Sequence, residues 1–249
     1  MIALITGGAT GIGYGFARVF SDLGYDLILT SRNLNNLVNA KRELEHKYHN
    51  KVMIFVADLT KEADRKSLFN YTSNYSLDAF VNNAGRGLSK DFLEADFKDE
   101  EEIINLNVIA FQALLKHYLK IMVTNKSGRI INVSSLAGFF AGPGSATYYA
   151  SKAYNNSLVN AIIKENKEKA VFIQLVCPGA TKSNFHLLAK TKEKSYKYDP
   201  YIVAYKAVSS KKELVIPGFK SKLIYFFSKI IPRKIFVRLV YKRQLGLRL

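Results

Sequence analysis

Six short apolar runs recur along the chain, spaced so that a helix fits between consecutive ones. They cover residues 2–6, 26–30, 52–57, 79–82, 129–134 and 170–177. Each is strand-sized, rich in Ile, Val, Leu or Phe and nearly unbroken by polar side chains, which is the pattern of parallel strands buried on both faces. Amphipathic stretches at 13–23, 34–48, 61–75, 100–123 and 147–165 lie between them. Strand–helix–strand units of this length predict an α/β fold: a doubly wound parallel sheet of the Rossmann type with helices on both faces. No Pro- or Gly-rich linker interrupts the alternation before residue 185, and 249 residues suit one domain spanning 1–249. That length buries a sizeable core without a metal or disulfide staple. Cys177 is the single cysteine, so no internal disulfide can form, and a reducing compartment is expected. Met1-Ile2-Ala3-Leu4-Ile5 reads as a strand from the start, with no charged leader before it, so a cytoplasmic address is expected.

The first strand runs into Thr6-Gly7-Gly8-Ala9-Thr10-Gly11-Ile12-Gly13. Glycines at such a turn let the backbone approach a pyrophosphate, and the helix that follows offers free N–H groups and a positive dipole end. At the first strand of an alternating fold, G-x-x-x-G-x-G is read as a dinucleotide loop, with Gly7, Thr10, Gly11, Ile12 and Gly13 as its contacts. The end of the second strand chooses between the two nicotinamide dinucleotides. A carboxylate there would hold the ribose 2′-hydroxyl of NAD and repel a 2′-phosphate. The sequence has Thr30-Ser31-Arg32-Asn33, with no acid nearby, and a guanidinium pairs well with a phosphate. NADP(H) is therefore expected over NAD(H), with Ser31 and Arg32 at the discriminating position.

Tyr148 and Lys152 are four residues apart and share a helix face. A free tyrosine, with pKa near ~10, is a poor acid or base at neutral pH. A neighbouring ammonium is expected to bring it down toward the working range. Tyr149 also adjoins, but it points roughly 100° away on a helix and is read as packing. Ser134 and Ser135, after the fifth strand, are both candidates to stabilise charge on a carbonyl oxygen. Asn105 and Asn107 are rival polar groups in the long fourth helix. The four histidines have no partner at ligand spacing, so no metal is expected.

Taken together, TGGATGIG at 6–13, Asp58-Leu59, Asn82-Asn83-Ala84-Gly85, Asn107, Ser134-Ser135, Tyr148-x-x-x-Lys152 and Pro178-Gly179 resemble the short-chain dehydrogenase/reductase family, in its form of about 250 residues. The segments span most of the chain in the family's order. The resemblance implies Asn107, Ser135, Tyr148 and Lys152 as catalytic residues, with Ser135 as the second of its serine pair, thirteen residues before the tyrosine. It implies that Tyr148 and Lys152 also meet the cofactor, Lys152 through the nicotinamide ribose. Asp58 and Leu59 would meet the adenine, Asn83, Ala84 and Gly85 would lie near its ribose, and Pro178, Gly179 and Thr181 would lie by the nicotinamide. Ser183 stands near where the family has a threonine. The resemblance further implies a homodimer or homotetramer.

Residues 184–205 fall where the family has a substrate lid. Their Phe185, Leu187, Leu188, Tyr196, Tyr198 and Tyr201 favour a lipophilic ketone or alcohol over a small charged metabolite. A last strand and turn are expected at Val215-Ile216-Pro217-Gly218, before a basic amphipathic extension at 219–249, within which Pro232 suits the first turn of a helix. The formal net charge is +17, and from Lys206 to Leu249 twelve Lys and Arg face one acid, Glu213. The apolar runs of this extension are too short to span a bilayer. An apolar face edged by cations suits peripheral contact with an anionic membrane, a partner subunit or a cover over the active site. No nucleic-acid recognition motif accompanies the charge. The reading is an oxidoreductase that interconverts a lipophilic ketone or aldehyde and its alcohol with NADP(H). A catalytically idle NADP(H) sensor and a membrane-peripheral binding protein are the alternatives.

Overall fold

The computed structural model describes residues 1–182 and 198–246. Its strands are β1 (Ile2–Thr6), β2 (Asp26–Ser31), β3 (Val52–Val56), β4 (Ala79–Asn82), β5 (Arg129–Val133), β6 (Phe172–Val176) and β7 (Leu214–Val215). They form one sheet, parallel throughout, in the order β3-β2-β1-β4-β5-β6-β7. The helices are α1 (Gly11–Asp22), α2 (Leu34–Tyr48), α3 (Glu62–Thr72), α4 (Phe97–Ile104), α5 (Phe111–Thr124), α6 (Ala146–Glu165), α7 (Pro200–Val208), α8 (Phe219–Ile230) and α9 (Arg233–Leu245).

Two cores follow from the alternation of side chains across the pleat. Leu4, Ile28, Phe80 and Ile130 point to one face, where they meet Leu114, Tyr118 and Val159 of α5 and α6. Ala3, Ile5, Leu27, Leu29 and Val81 point to the other, against Phe16 and Phe20 of α1 and Leu37 and Leu44 of α2. Because both faces are covered, the strands must be apolar throughout. The chain leaves β1 toward β2 on one side and later returns to place β4 on the other. The loops after β1 and β4 thus diverge at the carboxyl edge of the sheet, the crevice where ligands of open α/β sheets sit.

The helix expected at 100–123 is not one regular helix. It begins at Phe97, is interrupted by a π-helical segment at Asn105–Ala110, and resumes as α5. Side-chain bonds from Asn107 to a neighbouring loop and to α6 hold the wider turn, and apolar periodicity carries no sign of it. Phe97–Thr124 is long and apolar enough by composition to cross a membrane, yet Ile103, Phe111, Leu114, Leu115 and Tyr118 on it are buried in the protein.

Of the segment expected as a lid, 184–197 lie outside the described residues, as does Ser183. Residues 200–205 open α7, where Asp199 caps the helix through Tyr201 N–H and Val203 and Ala204 are fully buried. This helix packs so closely on α1 that a Cβ on Gly15 would lie 2.4 Å from the Pro200 carbonyl oxygen. Pro232 precedes α9 as its N-cap, one residue outside the first turn. Helices α8 and α9 fold back on the β5–α6 connection. Tyr225 meets Phe139 at 4.6 Å between ring centroids, and Phe236 meets Phe140 at 4.9 Å.

Candidate active site

The glycine loop turns tightly between β1 and α1, with Gly7 and Gly11 in the left-handed region at φ of 62° and 55°. A Cβ on Gly13 would lie 2.1 Å from the Gly7 carbonyl oxygen, so the first turn of α1 closes directly over the loop. Thr10 is the N-cap but its side chain makes no capping bond. The first-turn N–H groups, Ile12 and Gly13 among them, are left for an anion. This bare cradle at a helix N-terminus fits a dinucleotide pyrophosphate.

Thr6 joins the two sides of the crevice. Its Oγ1 accepts from Asn83 N–H at 2.9 Å and Ala84 N–H at 3.0 Å, while Asn83 Nδ2 donates to the Thr6 carbonyl at 2.8 Å. Sequence reasoning missed Thr6. Its place as the last residue of the first strand, opposite the Asn-Asn-Ala-Gly run, was the available signal. Toward the adenine end, Asp58 Oδ1 accepts from the Thr60 backbone and hydroxyl at 3.1 and 2.8 Å. Burial opposes the charge of Asp58, but these bonds and the Arg32 and Lys61 charges hold its carboxyl below the usual range. Arg32 is exposed at the end of β2 and acts electrostatically on Asp58; Ser31 Oγ donates to the Asn33 carbonyl at 3.3 Å, and Leu59 is buried.

The second half of the site gathers around α6. Ser135 caps a short 3₁₀ turn, its Oγ accepting from Ala137 N–H at 3.1 Å, and its side chain also bonds Tyr148. Ser134 faces away, donating to the Lys152 carbonyl at 3.3 Å. Asn107 is fully buried, whereas Asn105 is half-buried. Asn107 Oδ1 accepts from Arg86 N–H at 3.0 Å, and Nδ2 donates to the Arg86 carbonyl at 2.9 Å and to Ser151 Oγ at 3.0 Å. Ser151 Oγ in turn donates to the Tyr148 carbonyl at 2.7 Å. Ser151 and Arg86 were not read from sequence; neither belongs to a motif, and their part comes only from the π-helical turn. A Cβ on Gly85 would sit 3.2 Å from Asn107 Oδ1 and 3.3 Å from Lys152 Nζ, so the missing side chain lets both polar groups reach one spot.

The titration of the pair departs from the sequence expectation. Tyr148 is not lowered by Lys152. Burial pushes it up to about 12, with the Ser135 bond opposing and Tyr149 and Cys177 adding. Burial likewise pulls Lys152 down to about 8, against a small opposing effect of Cys177. The cost of burying the phenolate outweighs what the Ser135 bond returns to it. Burial also pushes the Cys177 thiol up; its Sγ donates to Asn156 Oδ1 at 3.5 Å.

Tyr149 forms part of the flank. Its hydroxyl accepts from Gln244 Nε2 of α9 at 2.7 Å, and its ring lies over Gly142, where a Cβ would come within 2.4 Å. On the opposite side, Leu136 N–H donates to the Pro178 carbonyl at 3.0 Å and Thr181 Oγ1 to the Gly179 carbonyl at 3.2 Å. A Cβ on Gly179 would lie 2.3 Å from Ser221 Oγ of α8. These tail contacts were also missed, because nothing in a basic amphipathic segment says which loop its inner face meets.

A glycine cradle at the switch point of a parallel sheet, beside a Ser–Tyr–Lys–Asn cluster whose Lys152 and Asn107 are buried, defines a dinucleotide-binding protein of the Rossmann type. The family model described as short chain dehydrogenase matches residues 1–194. A 3-oxoacyl-[acyl-carrier-protein] reductase, FabG, of Rickettsia prowazekii is 33% identical over 184 residues, covering 73% of each chain. Two solved structures share the fold. A 7beta-hydroxysteroid dehydrogenase superposes with a TM-score of 0.88 at 21% identity, covering 96% of each chain. A short-chain dehydrogenase from Sphingobium yanoikuyae in complex with NADPH superposes with a TM-score of 0.84 at 24% identity, covering 92% of this chain and 93% of the other. The chain belongs to the short-chain dehydrogenase/reductase family and is an oxidoreductase.

Proposed function

We propose that this protein is an NADP(H)-dependent reductase of lipophilic ketones and aldehydes, with Tyr148 as its proton donor. The observation that carries the reading is the bond between Ser135 and Tyr148, in the same crevice as the buried Lys152 and Asn107.

When bound, the nicotinamide dinucleotide supplies the hydride that reduces the carbonyl carbon. Gly7, Thr10, Gly11, Ile12 and Gly13 would hold its pyrophosphate, Asp58 and Leu59 its adenine, and Asn83, Ala84 and Gly85 the adjoining ribose. Pro178, Gly179 and Thr181 would line the nicotinamide. Arg32, with Ser31, favours a 2′-phosphate, since no acid stands at the end of β2 to repel one. Ser135 donates a hydrogen bond to the substrate oxygen, and the Tyr148 hydroxyl gives up its proton as negative charge develops there. The Asn107 bonds to Arg86 and Ser151 fix the floor of the site, and Lys152 orients the ribose and helps return a proton to Tyr148. In the reverse direction Tyr148 takes the proton and the alcohol carbon loses hydride. Phe140, Tyr149 and Phe236 give the flank an aromatic surface suited to an apolar substrate.

The test is oxidation of NADPH and NADH against a panel of aromatic, alicyclic and acyl ketones. Tyr148→Phe is expected to lower kcat/KM about 100- to 10,000-fold. Unchanged turnover in that variant overturns the assignment of the proton donor. Arg32→Ala is expected to raise KM for NADPH far more than for NADH, and equal use of the two cofactors by the unaltered chain removes the role given to Arg32.

A further inference from the structure

Helix α8 carries apolar side chains on two opposite faces. Ser221, Ile224, Tyr225 and Ser228 look inward, Ser221 being fully buried against Gly179 and Tyr225 lying on Phe139. Phe219, Leu223, Phe226, Phe227 and Ile230 look outward. Their spacing of i, i+4, i+7, i+8 and i+11 makes one continuous stripe. All five are exposed, Phe219 at 74%, Phe226 at 56% and Ile230 at 61%. Helix α9 repeats the division: Phe236 and Gln244 are buried, while Ile235 and Leu239 are exposed.

Cations border this surface. Lys222 and Lys229 lie along one edge of the stripe, and Arg233, Lys234, Arg238, Lys242 and Arg243 follow in α9. From 219 to 249 the sequence has nine Lys and Arg and no Asp or Glu. A contiguous apolar stripe of this kind marks a surface that something covers. A second copy of the same two helices would bring their eight cations against eight, with no acid on either. An anionic lipid surface supplies the missing counter-charge and accepts the apolar side chains in the same plane. The 12-residue α8 is about 18 Å long, well short of a bilayer core, so it lies along the surface.

We propose that α8 and α9 dock this protein on anionic membranes, with the Phe219–Ile230 stripe set among the acyl chains and the Lys and Arg rows on the headgroups. The inner faces of the same two helices flank the substrate side of the crevice, so docking places that flank against the bilayer. The docking itself stands apart from the ketone-reductase reading, because it is measured without turnover.

The experiment is co-sedimentation of the full chain with vesicles of phosphatidylcholine alone and of phosphatidylcholine mixed with phosphatidylglycerol. Binding is expected to be about tenfold or more stronger to the anionic mixture and to weaken at about 0.5 M salt. The double variant F226S/F227S, altered only at exposed positions, is expected to keep the cofactor affinity and the melting temperature of the unaltered chain and to lose vesicle binding about tenfold. Equal binding to both vesicle types, undiminished binding of the variant, or no binding of the unaltered chain overturns the proposal. If the unaltered chain ignores vesicles and the variant elutes from gel filtration as a smaller species, the stripe belongs to a second copy of this chain instead.

Discussion

Tyr148 and Lys152 are one helical turn apart, yet burial moves them in opposite directions, the phenol up to about 12 and the ammonium down to about 8. A phenol so placed keeps its proton at neutral pH, and so is in the form that protonates an alkoxide, a much stronger base than phenolate. Ketone reduction is therefore expected to hold its kcat/KM from about pH 6 to 8, while alcohol oxidation, which needs the phenolate, climbs steadily over the same range and beyond. Rate profiles in both directions check this, and an oxidation rate that is flat above neutrality contradicts it. Lys152 bears on stability as well. Its folded value of about 8 lies below the ordinary 10.5, so the unfolded chain holds the proton more tightly. Below about pH 8 the full cost of burying the cation is present; between 8 and 10.5 the folded lysine is neutral and stability from this group rises with pH. Lys152→Met is thus expected to abolish turnover and yet to raise stability at pH 7 by roughly 2 kcal/mol. Urea unfolding at pH 7 and at pH 10 should show that advantage shrinking at the higher pH.

At the level of elements, what sequence displays well is periodicity and what it hides is irregularity. The six strand-sized runs, the glycine loop and the Tyr148–Lys152 spacing are all set by local chain geometry, and each stands within a residue or two of its expected place. The wider turn at Asn105–Ala110 was illegible because it is held by Arg86 and Ser151, 21 and 44 residues distant from Asn107. The direction of the Tyr148 shift was illegible for a related reason: burial is a property of the assembled crevice, and no pair of residues four apart reveals it. Helix α7 was hidden by the aromatic residues around it, which read equally well as a cover for substrate. Its closeness to α1 makes a firm expectation. In Gly15→Ala the new methyl would meet the Pro200 backbone carbonyl oxygen at 2.4 Å. Neither helix can yield locally, so a loss of about 1–3 kcal/mol is expected by denaturant titration. Gly24→Ala provides the contrast in space though not in conformation, as nothing lies within 4 Å of its Cβ but its φ is +76°.

Over the whole molecule, the parallel sheet buries both of its faces, and among the apolar side chains left exposed on the described residues two groups bear on association. One is the stripe on α8. The other runs along α4, the π-helical segment and α6, where Ile104, Ile109 and Tyr154 are exposed at 42%, 47% and 37%. We propose that this second surface joins copies of the chain, as the family resemblance leads one to expect. Ile104→Glu with Ile109→Glu should then reduce the mass seen by light scattering to that of a single chain of 28.1 kDa. A mass unchanged by the pair of charges assigns the interface elsewhere.

The contact between Ser221 and Gly179 has a consequence for how such a protein can change over generations. The match to the family model ends at residue 194, whereas Ser221, Tyr225, Phe236 and Gln244 all come after it. Mutations in the last thirty residues can therefore reshape the flank of the crevice while leaving the glycine loop and the Ser135–Tyr148 bond untouched.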